Sequence, residues 1–246
     1  MSKREICGMN KTKLERFILK YSLGGTVDSV KWVFKDDKLY TSFMTPDKAL
    51  LGKVLVKNVQ FQDTVLGVYS TNLLSRLLSV MDGNLDMNIL MIDEKPIALK
   101  ITSGYSEVSY ALADLSVFLT PPDLKSLPEF ETEIDVDSNF INTFIRGKSA
   151  LSDVETFTVI YNGSTKIVIG HSKTNSHTVT IPVKSNETFL SKNQTFNANF
   201  FKEILAANRE CQSAKLRISD KGLAHIVFDS GDYFSEYYLT ALQDTD

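Results

Sequence analysis

Apolar residues recur at i, i+3 and i+4 in four separate stretches, and each stretch predicts a helix with one greasy face. Leu14, Phe17 and Ile18 mark the first, and Leu73, Leu74, Leu77 and Leu78 the second. Ile141, Phe144 and Ile145 mark the third, and Phe200, Phe201, Ile204 and Leu205 the fourth. Asn10, Ser70, Asp137 and Asn197 stand just ahead of them, where a short polar side chain can accept from the first unpaired backbone N–H groups of a helix. Elsewhere the period falls to two. Leu85, Met87, Ile89 and Met91 alternate with mostly polar neighbours, as do Ile97, Leu99 and Ile101, then Leu216 and Ile218, and Ala224, Ile226 and Phe228. These predict strands with one buried face. Asp93-Glu94-Lys95-Pro96 and Asp220-Lys221-Gly222 read as the turns between them. Asn162-Gly163, between Phe157–Tyr161 and Lys166–Ile169, predicts a hairpin, with Asp36-Asp37 as its counterpart earlier in the chain.

The pattern occurs twice. With residue n laid on residue n + 127, Asn72-Leu73-Leu74 meets Asn199-Phe200-Phe201, Phe17-Ile18 meets Phe144-Ile145, and Ser103-Gly104 meets Ser230-Gly231. Val56-Lys57 falls on Val183-Lys184 and Asp93 on Asp220, without a gap. A repeat of this length is a whole domain, so the chain predicts two copies of one α+β fold, each an antiparallel sheet with two helices on one face. The expected boundaries are 1–114 for the first copy, 115–133 for a connector and 134–246 for the second. Leu115–Glu133 contains Pro121, Pro122 and Pro128, which remove ladder donors and fix φ, so neither a central strand nor a helix is expected there.

Charge changes the picture more than composition does. The formal net charge is −3, yet the helices place cations away from their apolar stripes: Lys13, Arg16 and Lys20 on the first, Arg76 on the second, Arg146 on the third, Lys202 and Arg209 on the fourth. Such faces suit a phosphate backbone, where cations act additively and without sequence preference. Convergent chemistry is not legible. His171, His177 and His225 lack metal-ligand spacing, and His225 is expected on a sheet surface because it alternates away from Ile226. Asp36-Asp37 and Asp135-x-Asp137 coincide with a hairpin and a helix start, Gly24-Gly25 follows a helix, and Cys7 and Cys211 read as reduced structural thiols. No catalytic residue, metal or cofactor is therefore expected. No apolar run is long enough to cross a bilayer, and Met1–Glu5 leads into no signal-like segment, so a cytoplasmic protein without a membrane role is expected.

The tandem repeat, the proline-containing connector and the basic helix faces resemble the DNA polymerase sliding clamps. Within them the chain is similar to the trimeric clamps of T-even-type bacteriophages more than to cellular proliferating cell nuclear antigen. Ser116–Pro121, Thr132-Glu133-Ile134, taken as the lead into the third helix, and Tyr237–Leu242 carry most of that likeness. The resemblance implies a homotrimeric ring of six like domains around duplex DNA, helices inside, which tethers the replicative polymerase and is opened by an ATP-driven clamp loader. If viral, it would act in the host cytoplasm. It also implies a subunit interface between about Glu107–Leu112, with Val108 and Tyr110, and Thr178–Val183, with Val179 and Ile181. A partner-peptide groove is implied at Val117, Phe118, Leu119, Leu239 and Leu242. Two alternatives stand beside it: a monomeric or dimeric clamp-like processivity factor, and a protein-interaction scaffold with no DNA role.

Overall fold

The computed structural model describes residues 7–171, 177–186 and 190–242. In the first copy the elements run β1 (Cys7–Asn10), α1 (Lys11–Ser22), β2 (Val30–Lys35), β3 (Lys38–Met44), β4 (Leu50–Lys57), β5 (Thr64–Val68), α2 (Thr71–Leu78), β6 (Asn84–Ile92), β7 (Lys95–Ser103) and β8 (Ser106–Ala111). The second copy follows with β9 (Thr132–Asp137), α3 (Ser138–Ala150), β10 (Thr156–Tyr161), β11 (Thr165–Ile169), β12 (Val179–Pro182), β13 (Gln194–Asn197), α4 (Ala198–Ala207), β14 (Ser213–Ser219), β15 (Leu223–Asp229) and β16 (Tyr233–Thr240).

Strand order repeats with the sequence. The first copy joins β1-β6-β7-β8 and β5-β2-β3-β4, and the second joins β9-β14-β15-β16 and β13-β10-β11-β12. Contacts group the chain into one unit of Met1–Phe43, Lys53–Pro121 and Gly231–Phe234, and another of Met44–Gly52, Pro122–Ser230 and Ser235–Asp246.

All four capping residues act as the pattern predicts. Asn10 accepts from Thr12 N–H, Ser70 from Leu73, Asp137 from Phe140, and Asn197 from both Asn199 and Phe200. Each helix then buries its apolar stripe. In the first unit Phe17 meets Tyr21 and Trp32 edge-on at 5.3 and 5.8 Å, and the Tyr21 hydroxyl lies 3.1 Å from Thr71 Oγ1 while accepting from Trp32 Nε1. Burial pushes that phenol well above its ordinary pKa. The second unit instead clusters phenylalanines: Phe201 lies 4.9 Å from both Phe144 and Phe157, and Phe157 stacks near Phe196.

The hairpins follow the turn chemistry. Asp36 and Asp37 both hold positive φ between paired Lys35 and Lys38, and Asp93 and Glu94 do the same between Ile92 and Lys95. Asn162-Gly163-Ser164 closes Tyr161 against Thr165. The alternation expected along β6 fails at its end. Leu85 and Met87 are buried, but Leu90, Met91 and Ile92 are all exposed, and opposite the Leu90–Met91 step β7 carries one extra residue, Ile97, beside Pro96. The connector carries one 3-10 turn, Leu115–Val117, capped by Asp114. Thr132, Glu133 and Ile134 belong to β9, which runs straight into α3 through its cap Asp137.

Candidate nucleic-acid interface

Within the first unit α1 packs beside α2, and within the second α3 packs beside α4, so each unit presents one two-helix layer. Many of the outward positions are short and polar: Thr12, Asn72, Ser75 and Ser79 in the first unit, Asn139, Asn142, Thr143 and Asn199 in the second, although α1 also exposes Glu15 and Leu19. Among them stand the exposed cations Arg16 and Arg76 in the first unit and Arg146 in the second, while Arg209, expected on the fourth helix, is exposed in the turn after α4, which ends at Ala207. Lys202 is half-buried, with its ammonium 3.7 Å from Glu203. Hydroxyls, amides and guanidinium groups on one layer can all donate to phosphate oxygens.

Two of the expected cations sit differently. Lys20 is only 2% exposed, and its ammonium lies 5.4 Å from the centre of the Tyr233 ring. Seven residues beyond Lys13 the helix has rotated this side chain against the protein, so Lys20 is corrected from a water-facing to a packed cation. Lys13 is half-buried and bridges Asp232 at 3.5 Å and the Asn58 carbonyl at 3.4 Å. In the second unit Lys148 is buried and donates to the carbonyls of Leu151 and Ser152, closing the end of α3. Burial, then the nearby Lys202 charge, lowers its pKa.

The expected groove residues divide by burial. Val117 and Leu119 are exposed at 70% and 62%, and Leu242 is exposed beyond β16 with its N–H on the Thr195 carbonyl. Phe118 is buried over Gly67, where an added Cβ would come within 2.7 Å of its ring. Leu239 faces inward with Tyr237 and Ser235 and is 2% exposed, so it is core and not a groove wall.

The outer face of the second unit holds a cluster that the sequence reading missed. His225 is 6% exposed, not surface, because Phe130 of the connector covers it at 5.7 Å and Tyr238 stacks on it at 4.5 Å. Its Nε2 and the Tyr238 hydroxyl converge on Glu236 Oε1 at 2.9 and 2.8 Å. Burial lowers the imidazole pKa, Glu236 opposes that shift, and Arg217 adds to it. Aromatic residues at the outward positions of β15 and β16, with one more in the connector, were the available signal. A cleft of about 650 Å³ adjoins the histidine, lined in part by Lys215, Arg217, Asp135 and Lys184. Lys215 pairs with Asp135 and Glu133, and Arg217 with Glu133.

The expected interface strands both lie at sheet edges. In β8, Glu107 is exposed and 3.3 Å from Lys100, while Val108 and Tyr110 are buried. Tyr110 accepts from Ser70 N–H and donates to its carbonyl, and Leu112 follows the strand. In β12, Ile181 is buried and Val179 and Val183 are half-buried, with Thr178 exposed just before the strand. Among the described residues no group of histidine, cysteine or carboxylate side chains could hold a metal ion, and no helix is long and apolar enough to cross a membrane.

No protein-family model matches the sequence, and no curated protein matches it either. The structure is similar to the crystal structure of proliferating cellular nuclear antigen from Entamoeba histolytica, with a TM-score of 0.76 over 99% of this chain and 100% of that one. Sequence identity is 14%, so the likeness lies in the backbone path. The chain has the DNA clamp fold, built from two tandem copies of one α+β domain.

Proposed function

We propose that this chain is a sliding clamp: three copies close head to tail into a ring around duplex DNA and tether a DNA polymerase. The observation that carries the reading is a difference between equivalent strands. β4 and β16 are joined within the chain, where Lys57 N–H donates to the Asp232 carbonyl at 2.8 Å in the first unit and Thr240 N–H to the Ala49 carbonyl at 3.0 Å in the second. Under the repeat, β12 corresponds to β4 and β8 to β16, yet these two stand at sheet edges. Exposed edges invite pairing with another chain, and a heterologous pairing generates a ring when its rotation closes.

Inside such a ring the helix layers would meet the phosphate backbone through Arg16, Arg76, Arg146, Lys202 and Arg209, with Lys13 and Lys20 behind them. Topological linkage then replaces strong affinity, which suits a net charge of −3. The work is mechanical and needs no cofactor; ring opening falls to a separate ATP-driven loader. The stretches Ser116–Pro121 and Tyr237–Leu242 support a phage-type trimer acting in the host cytoplasm. Clients would insert apolar side chains beside Val117, Leu119 and Leu242. Light scattering over a concentration series tests the ring. A mass near three chains supports it, while a strict monomer supports a monomeric clamp-like processivity factor or a scaffold.

A further inference from the structure

Tyr105 is fully exposed, at 111% of its reference area, on the two-residue turn between β7 and β8. An aromatic ring left in water at a turn tip has no role within its own fold. The repeat supplies a partner for it. Residue 105 corresponds to Asp232, on the equivalent turn between β15 and β16, and Gly104 and Gly231 hold the same positive φ of 58° and 78°. Within the first unit Asp232 binds Lys13 of α1 at 3.5 Å, and its carbonyl accepts from Lys57 N–H. The equivalents of Lys13 and Lys57 are Phe140 and Lys184. These two line one open cleft of about 240 Å³ in the second unit, together with Asp135, Asp137, Ile181 and Val183.

We infer that Tyr105 of one copy inserts into the Phe140–Lys184 cleft of the next, anchoring the joint between β8 and β12. The inference rests on the ring proposed above. An ion pair at the internal joint is replaced at the external one by a ring on a ring, with the Lys184 stem and charge beside the phenol.

Backbone direction agrees independently. The internal pairs 57 with 232 and 49 with 240 map onto a register that sets Lys184 opposite Tyr105, Thr180 opposite Ser109 and Ile181 opposite Val108. Val183 N–H donates to the Thr165 carbonyl, so Thr178 and Thr180 turn their N–H groups to the free edge of β12, and Lys184, just past the strand, has the same parity while its carbonyl accepts from Asp135 N–H at 3.0 Å. Leu112 N–H donates to the Ile97 carbonyl, so Glu107, Ser109 and Ala111 turn theirs to the free edge of β8. The mapped register thus places outward-pointing groups against outward-pointing groups, and buried Ile181 beside buried Val108. A slip of one residue would break both matches. Pro182, with no N–H, falls on the outward set opposite Glu107, so the joint lacks one ladder bond there.

The test is sedimentation or light scattering of the full chain with Tyr105→Ala and Tyr105→Phe, beside Ser106→Cys/Val183→Cys under oxidation. Loss of a buried aromatic anchor raises the half-dissociation concentration at least about tenfold in Tyr105→Ala, and Tyr105→Phe stays near the parent. The cysteine pair yields covalent trimers that reductant releases, since the residues of such a non-hydrogen-bonded pair lie about 4.5 Å apart with their side chains facing. A parent trimer unaffected by Tyr105→Ala overturns the anchor and leaves the ring standing. Absence of the cross-link in a parent trimer overturns the register, and a parent that stays monomeric overturns ring and anchor together.

Discussion

Burial between two aromatic rings gives His225 a titration that a solvent-facing histidine lacks. Its pKa lies below the usual value, with desolvation as the leading cause, so the unfolded chain takes up a proton near pH 6.5 while the folded one resists. Stability is unaffected well above that pH and falls as the solution is acidified through it. Urea midpoints of the parent therefore drop between about pH 7.5 and 5.5, and His225→Gln flattens that part of the slope. Equal slopes in the two proteins would show that the imidazole is solvated after all. Gly67 offers a second residue-level test. A methyl there meets the Phe118 ring and the Ala113 carbonyl, so Gly67→Ala costs about 1–3 kcal/mol by overpacking and loosens the connector to limited proteolysis.

At the scale of elements, the helices were the most legible part of the chain, because a 3.6-residue stripe and a cap must both be written locally. Asn197 illustrates it: its carboxamide oxygen accepts from Asn199 at 2.9 Å and Phe200 at 3.0 Å. Asn197→Ala lowers unfolding free energy by about 1 kcal/mol, read as a shift in denaturant midpoint without a change in slope. Short strands were less legible. β1 and β9 precede their helices by no spacer, so their period-two signal is absorbed into the cap, and the bulge opposite the end of β6 falls at Ile97, where Pro96 marks it but the alternation of β6 does not. The candidate site was legible only as far as sequence position implies exposure. Arg16 and Arg146 kept their outward placement, whereas Lys20 met Tyr233 and His225 met Phe130, partners 213 and 95 residues away along the chain. Leu239 and Phe118 look identical to groove leucines and phenylalanines until the strand parity and the bare surface of Gly67 are known.

For the whole molecule, the ring and the monomeric alternative use the same cations in different ways, and salt separates them. A monomer must hold DNA by affinity, so its binding to short linear duplex falls steeply with ionic strength, with a slope set by the number of phosphates neutralised. A ring threads off short ends and holds only closed or blocked DNA, so its retention depends little on salt once loaded. Lys20 must be left alone in such a test, because reversing a cation buried against Tyr233 perturbs folding as well as charge. Arg16→Glu with Lys202→Glu alters one helix layer in each unit at accessible positions. Repulsion between these carboxylates and the phosphate backbone slows loading and shortens processive synthesis, while the trimer mass and thermal midpoint stay at the parent's values. Undiminished processivity in the double variant would remove the helix layers from the mechanism. A ring that binds short linear duplex with a steep salt slope would in turn show that affinity, and not linkage, holds it on DNA.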